Sequence, residues 1–196
     1  MKQVLFLFSL IFVMALMPSC SSIGEKVLVR MEGETERPSW ATLSKTTFTK
    51  EGKIMVVGYA EVVADAQIGA AMKLSDNNAR FEISRRITND MGFIFQNLKE
   101  GVLDGGDLSR FYGMEISKTI ASDTVTERRY WEKVQTFDSY GEKVYKLRLF
   151  SLVSIKSSTL RRAVANANAK QNEISPELKK EITDHLQTEI RKLQGS

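Results

Sequence analysis

The chain carries one cysteine and one histidine in 196 residues. A single cysteine excludes an internal disulfide, and one thiol with one imidazole cannot supply the three or four converging ligands of a recognisable zinc site. The sole histidine, His185, falls in an amphipathic C-terminal stretch, and the chain has no G-x-S-x-G elbow. No nucleophile therefore stands beside a visible base. The chain also lacks a G-x-G-x-x-G run after a strand-like segment, which leaves a nucleotide cofactor without a cradle. Gly101 to Asp107 (GVLDGGD) lacks both the Lys-Ser or Lys-Thr pair of a phosphate loop and the alternating acids of a calcium loop, so it reads as a helix-ending turn. These absences predict a protein with no catalytic residues, no metal and no dissociable cofactor.

A strong charge of one sign is missing too. The 28 basic residues become 27 without Lys2, against 24 acidic ones, a balance too mild to imply nucleic acid. Proline is scarce at three residues, glycine stands at twelve, and 42% hydrophobic with 27% charged residues is ordinary globular composition. One domain with a real core is expected, and a second full domain is not.

What is present begins at the N-terminus. Lys2 precedes an uncharged apolar run from Val4 to Met17 (VLFLFSLIFVMALM), the layout of a signal-peptide h-region. As a helix, 14 residues span about 21 Å, short of the roughly 30 Å hydrocarbon core. The run ends in Met17-Pro18-Ser19-Cys20, which resembles the lipobox of bacterial lipoproteins, with Met17 and Pro18 in places usually held by Leu and a small residue. That resemblance implies cleavage between Ser19 and Cys20 and diacylglycerol on the Cys20 thiol, a covalent lipid being the only non-protein group expected. The two or three acyl chains of such an anchor give stable membrane attachment, each buried methylene contributing about 0.8 kcal/mol. Ser21 follows the cysteine where enterobacteria-like sorting places an Asp for inner-membrane retention. The implied location is the cell envelope, at the outer membrane.

In the mature chain, residues 20–44 mix Gly24, Gly33 and Pro38 with alternating charges and read mostly as a tether. Lys45 to Thr49 and Ile54 to Glu61 are rich in β-branched and aromatic residues around a turn at Glu51-Gly52-Lys53, a first hairpin. Thr124 to Phe137 and Lys143 to Ile155 form a second around Asp138-Ser139-Tyr140-Gly141. Between them, Ile68, Met72, Ala79, Ile83, Ile87, Met91, Ile94 and Leu98 recur at helical spacing, predicting one long amphipathic helix over Gln67 to Lys99. Lys73, Arg80, Arg85 and Arg86 lie mainly off that stripe and read as its solvated face. A second, shorter helix is expected over Leu108 to Ala121.

After Lys156 the chain turns helical, and Ser175-Pro176 offers a cap and a first-turn proline for a last helix. That helix aligns Leu178, Ile182, Leu186, Ile190 and Leu193, a narrow stripe suited either to docking on its own domain or to contact with another subunit. The predicted fold class is α+β: a small antiparallel sheet of two hairpins, about four strands, covered by a long amphipathic helix, with C-terminal helices. The expected partition is 1–19 signal peptide, 20–44 lipidated tether, 45–156 α+β domain and 157–196 helical extension.

Leu74-Ser75-Asp76-Asn77-Asn78-Ala79 faintly resembles the helix motif of OmpA-like peptidoglycan-binding domains, which implies peptidoglycan as an alternative partner. The arginine expected directly before the alanine is replaced by Asn78, and Arg80 stands about 200° away around the helix. Taken in order, the lipobox, Arg37-Pro38-Ser39-Trp40, Val57-Gly58-Tyr59-Ala60, Asn78-Ala79-Arg80-Phe81-Glu82-Ile83 and the strand from Tyr145 to Ile155 resemble the LPP20-type bacterial lipoprotein family. The resemblance spans Pro38 to Ile155 and implies a small α+β envelope lipoprotein without enzymatic activity. Some members of that family assemble into rings or disks around the flagellar motor, which implies a structural role with a homo-oligomeric or envelope-protein partner.

Overall fold

In a computed structural model the described residues are 25–44, 46–96 and 105–195. The β-branched runs pair as expected. Lys26–Arg30 (β1), Thr47–Lys50 (β2) and Lys53–Val63 (β3) are followed by two helices, Ile68–Gln96 (α1) and Gly105–Asp123 (α2). Then come Val125–Phe137 (β4), Lys143–Lys156 (β5), Ser157–Lys170 (α3) and Pro176–Gly195 (α4). β2 and β3 join through Glu51 and Gly52, at φ 54° and 72°. Two successive positive φ values match the right-handed twist of the flanking strands, and glycine takes the second at no steric cost.

All five strands lie in one antiparallel sheet in the order β1-β4-β5-β3-β2. A fifth strand joins the four of the two expected hairpins, and it comes from the stretch read as a tether. Lys26 pairs with Gln135 and Arg30 with Glu132. Five residues with no clean apolar alternation are too short a pattern to announce a strand; β4 supplies the ladder that makes them one.

Side chains alternate between the two faces of the sheet. Ile54, Val56, Val153 and Ile155 point to the helical side and form the main core with α1, α2, α3 and α4. Met55, Val57, Phe150 and Leu152 point the other way, where residues 31–44 cross them as a strap. The sheet is therefore covered on both faces, by helices on one and by the supposed tether on the other.

The predicted stripe of α1 is buried at Met72, Ala79, Ile83 and Ile87, while Ile68 at its start is exposed; Met91 and Ile94, as side chains, and Leu98 lie outside the described residues. α2 begins earlier than expected: Gly105, Gly106 and Asp107 are its first turn rather than the turn that ends α1, and Asp107 suits the positive end of the helix dipole. Gly101 to Asp104 lie outside the described residues. Ser175 caps α4 as expected, its Oγ accepting from the Leu178 N–H at 3.2 Å.

The terminal stripe docks on its own domain. Leu178, Ile182 and Leu186 are 3%, 0% and 3% exposed and belong to the main core, so these three pack within their own chain. The side chains of Ile190 and Leu193 lie outside the described residues.

One crossing sets the distance between helix and sheet. Gly58 lies opposite Ser151 on the helical face, and Ser75 and Ala79 of α1 sit directly on them. A Cβ on Gly58 would stand 2.0 Å from the Ser75 carbonyl oxygen and 2.7 Å from the Ala79 nitrogen. Both are backbone atoms that cannot rotate away. Ser75 Oγ meets Ser151 Oγ at 2.6 Å, so the buried hydroxyls satisfy each other. Gly58→Ala should cost about 2–3 kcal/mol by overpacking, read as a lower urea midpoint with an unchanged slope.

Candidate functional site

Cys20 and Ser19, the expected lipidation and cleavage positions, lie outside the described residues. Glu25, five residues after Cys20, is the first described residue, and it ion-pairs with Arg148 at 2.5 Å. Among the described residues no helix is long and apolar enough to cross a membrane.

The outer face of the sheet holds the densest polar arrangement. Tyr59, Phe150 and Tyr130 stand side by side across β3, β5 and β4, with ring centroids 5.1 and 6.1 Å apart. Next to them Glu132 is fully buried, and a buried carboxylate has to be paired. Its partner comes from the strap: the Arg37 guanidinium bonds Glu132 Oε1 and lies over the Phe150 ring, 5.4 Å from its centroid. The Tyr130 hydroxyl donates to the other oxygen at 2.8 Å. Burial, followed by this carboxylate, pushes the Tyr130 phenol up to about 12. Trp40 and buried Ala41 pack beside the same aromatic row. The Arg37-Pro38-Ser39-Trp40 run is thus a clasp across the sheet.

Past the clasp, toward the β2–β3 turn, a cleft of about 310 Å³ opens on this face. Trp40, Phe48, Met55 and Leu152 line it together with three cations, Lys50, Lys53 and Arg128, and two acids, Glu51 and Glu127. Lys53 bonds Glu127 at 2.7 Å, and Ser154 Oγ donates to the same carboxylate at 2.6 Å. The volume is at the low end for small-ligand sites. The aromatic side chains offer stacking, the mixed charges largely pair with one another, and no lining side chain is a histidine or cysteine.

In the opposite direction lies a second charged group. Glu61 accepts from Lys146 Nζ at 2.6 Å, Arg148 Nε at 2.8 Å and the Tyr59 hydroxyl at 2.8 Å. Burial raises its carboxyl, but these hydrogen bonds outweigh burial and hold it at about 2.

On the helical face Ser75, Asp76 and Ala79 of the peptidoglycan-motif echo are buried, while Leu74, Asn77 and Asn78 are exposed. Asp76 is buried and accepts from Arg129 Nη2 at 2.6 Å and Nε at 3.3 Å. Asn78 Nδ2 donates to the Tyr59 carbonyl at 2.7 Å. The expected solvated basic face is laced with local bonds: Arg80 donates to Thr124 at 2.9 Å, while Arg85 and Arg86 both hold Glu82 at 2.9 and 2.8 Å.

Two consequences can be measured. Arg37→Met leaves Glu132 buried without its cation and should cost about 2–4 kcal/mol, part of which returns when Glu132→Gln is added; a double-mutant cycle in urea reads both. The Glu61 pair network has a folded pKa below the ordinary value of 4.5, so its contribution is complete above that value and is lost as pH falls toward 2. Glu61→Gln should flatten the acid limb of a stability-against-pH curve and leave the slope near neutrality unchanged.

A scan against protein-family models matches none, and searches of the curated proteins and of the solved structures return no significant match.

Proposed function

We propose that this chain is a lipid-anchored envelope lipoprotein without enzymatic activity, acting as a structural or assembly component that self-associates or joins an envelope or flagellum-associated complex. The observation that carries the reading is the position of the only cysteine, Cys20, at the end of the apolar run from Val4 to Met17 and five residues ahead of Glu25. Diacylglycerol on its thiol holds the domain at the outer membrane by two or three acyl chains. The resemblance to LPP20-type lipoproteins supplies the assembly role. The polar clusters favour it over catalysis, since Glu61, Asp76 and Glu132 are each spent on cations of their own fold.

Self-association needs an apolar surface. With Leu178, Ile182 and Leu186 in the core, the surface that suits it is the outward side of α1. Leu74 and Phe81, seven residues and two turns apart on that helix, are 45% and 67% exposed.

The cleft floored by Trp40 and Phe48 favours a second reading, a binding module for peptidoglycan or an exported ligand.

In bacteria fed a labelled fatty acid, the full chain should take up label and sediment with membranes, and Cys20→Ala should do neither while keeping its far-ultraviolet circular dichroism. Unchanged labelling of Cys20→Ala would refute the anchor. Co-sedimentation of the Cys20→Ala chain with purified peptidoglycan would favour the binding module instead.

A further inference from the structure

The strand that opens the domain fixes which end of the molecule faces Cys20. β1 is antiparallel to β4, and its first residue, Lys26, sits opposite Gln135, two residues before β4 ends at Phe137. The chain thus enters the sheet at the end that carries the β4–β5 turn. Only residues 21–24 separate Cys20 from Glu25. Five backbone steps reach at most about 18 Å, whatever path they take. β5, at 14 residues, is about 46 Å long. A lipid on Cys20 therefore keeps the turn end within reach of the bilayer, while the opposite end, near Val125 and Lys156, lies the length of the sheet away from that end.

The same end gathers exposed apolar side chains from three elements. Val63 closes β3 at 66% exposure, Ile68 opens α1 at 39%, and Tyr145 of β5 stands at 48%. Tyr140, on the turn itself, is 90% exposed. Its position is not loose. The Asp138 carboxylate accepts from the backbone N–H groups of Tyr140 at 2.8 Å and Glu142 at 2.9 Å, and the Gly141 N–H bonds the Asp138 carbonyl at 3.1 Å. An ordered turn presenting an aromatic ring to solvent loses little conformational entropy on docking. Tyrosine, with an apolar ring and a polar tip, belongs at the headgroup level of a bilayer. Lys26 and Lys143 at this end stand against Asp65, Asp138 and Glu142, a small imbalance, so charge does not dominate the surface.

We infer that the turn end of the sheet, led by Tyr140 with Val63, Ile68 and Tyr145 around it, is a membrane-seating surface that rests in the headgroup layer of the bilayer holding Cys20. The inference rests on the reading of Cys20 as lipidated. The lipid then supplies the affinity, and the seat fixes the orientation, standing the long axis of the sheet up from the bilayer with the Trp40 cleft and the β2–β3 turn toward its far end.

The test uses the full chain expressed in bacteria, extracted in detergent and reconstituted in vesicles of phosphatidylethanolamine and phosphatidylglycerol, with and without bromine on the acyl chains. Tyr140→Trp adds an indole at the turn and Val125→Trp adds one at the opposite end; the emission of Trp40 and Trp131, measured in the unaltered chain, is subtracted. Brominated lipid should quench the added emission at position 140 about twofold or more and leave that at position 125 unchanged. Intact mass of the same preparations reports the acyl groups. With those groups on Cys20, an unquenched indole at position 140, or equal quenching at both positions, overturns the seat and leaves the anchor standing. Their absence removes anchor and seat together.

Discussion

A carboxylate with no exposed surface sits in the middle of one face of this sheet, and the N-terminal part of the domain is organised around it. Arg37 crosses the sheet to meet Glu132, and Tyr130 donates to its second oxygen, so the buried carboxylate is paired on both sides. Bringing Arg37 into place lays Trp40 and Ala41 over Phe150, Met55 and Leu152, so one ion pair ties down a strap that would otherwise leave an apolar sheet face in water. It also draws in β1, whose Arg30 is the register partner of Glu132. Residues 25–44, ahead of the first hairpin, are in consequence part of the domain.

The opposite face obeys a constraint of a different kind. Glycine at 58 and small residues at 75, 79 and 151 let α1 approach the sheet backbone to contact distance, and Ile83 and Ile87 then reach the same core as Ile54 and Val56. The runs Val57-Gly58-Tyr59-Ala60 and Asn78-Ala79-Arg80 owe their character to that packing. They mark a fold rather than a binding site, which is why a likeness resting on them speaks to architecture before function.

Elements with a strong internal period were legible in the sequence: the two hairpins, α1 and the stripe of α4 each repeat every two or about 3.6 residues for long enough to stand out. β1 was not, because Lys26–Arg30 becomes a strand through the ladder that β4 offers and through no pattern of its own. Nor were the internal partners of Asp76 and Glu132, which lie 53 and 95 residues away in sequence. Arg37-Pro38-Ser39-Trp40 was conspicuous as a motif, yet nothing local says that its arginine ends over a phenylalanine of β5. The stripe of α4 had two destinations with the same periodicity, and only three-dimensional placement assigns Leu178, Ile182 and Leu186 to the core. The cleft is likewise assembled from four separate stretches of chain, and it gave no local signal.

We propose a domain whose first described strand begins six residues after a lipid-bearing Cys20, which holds it close to a membrane. The most direct measurement is the intact mass of the protein extracted from bacterial membranes after expression of all 196 residues. The account requires a chain that begins at Cys20 and carries the added mass of diacylglycerol and, in a fully matured form, a further acyl group. A mass that retains residues 1–19, or that shows Cys20 unmodified, would contradict it.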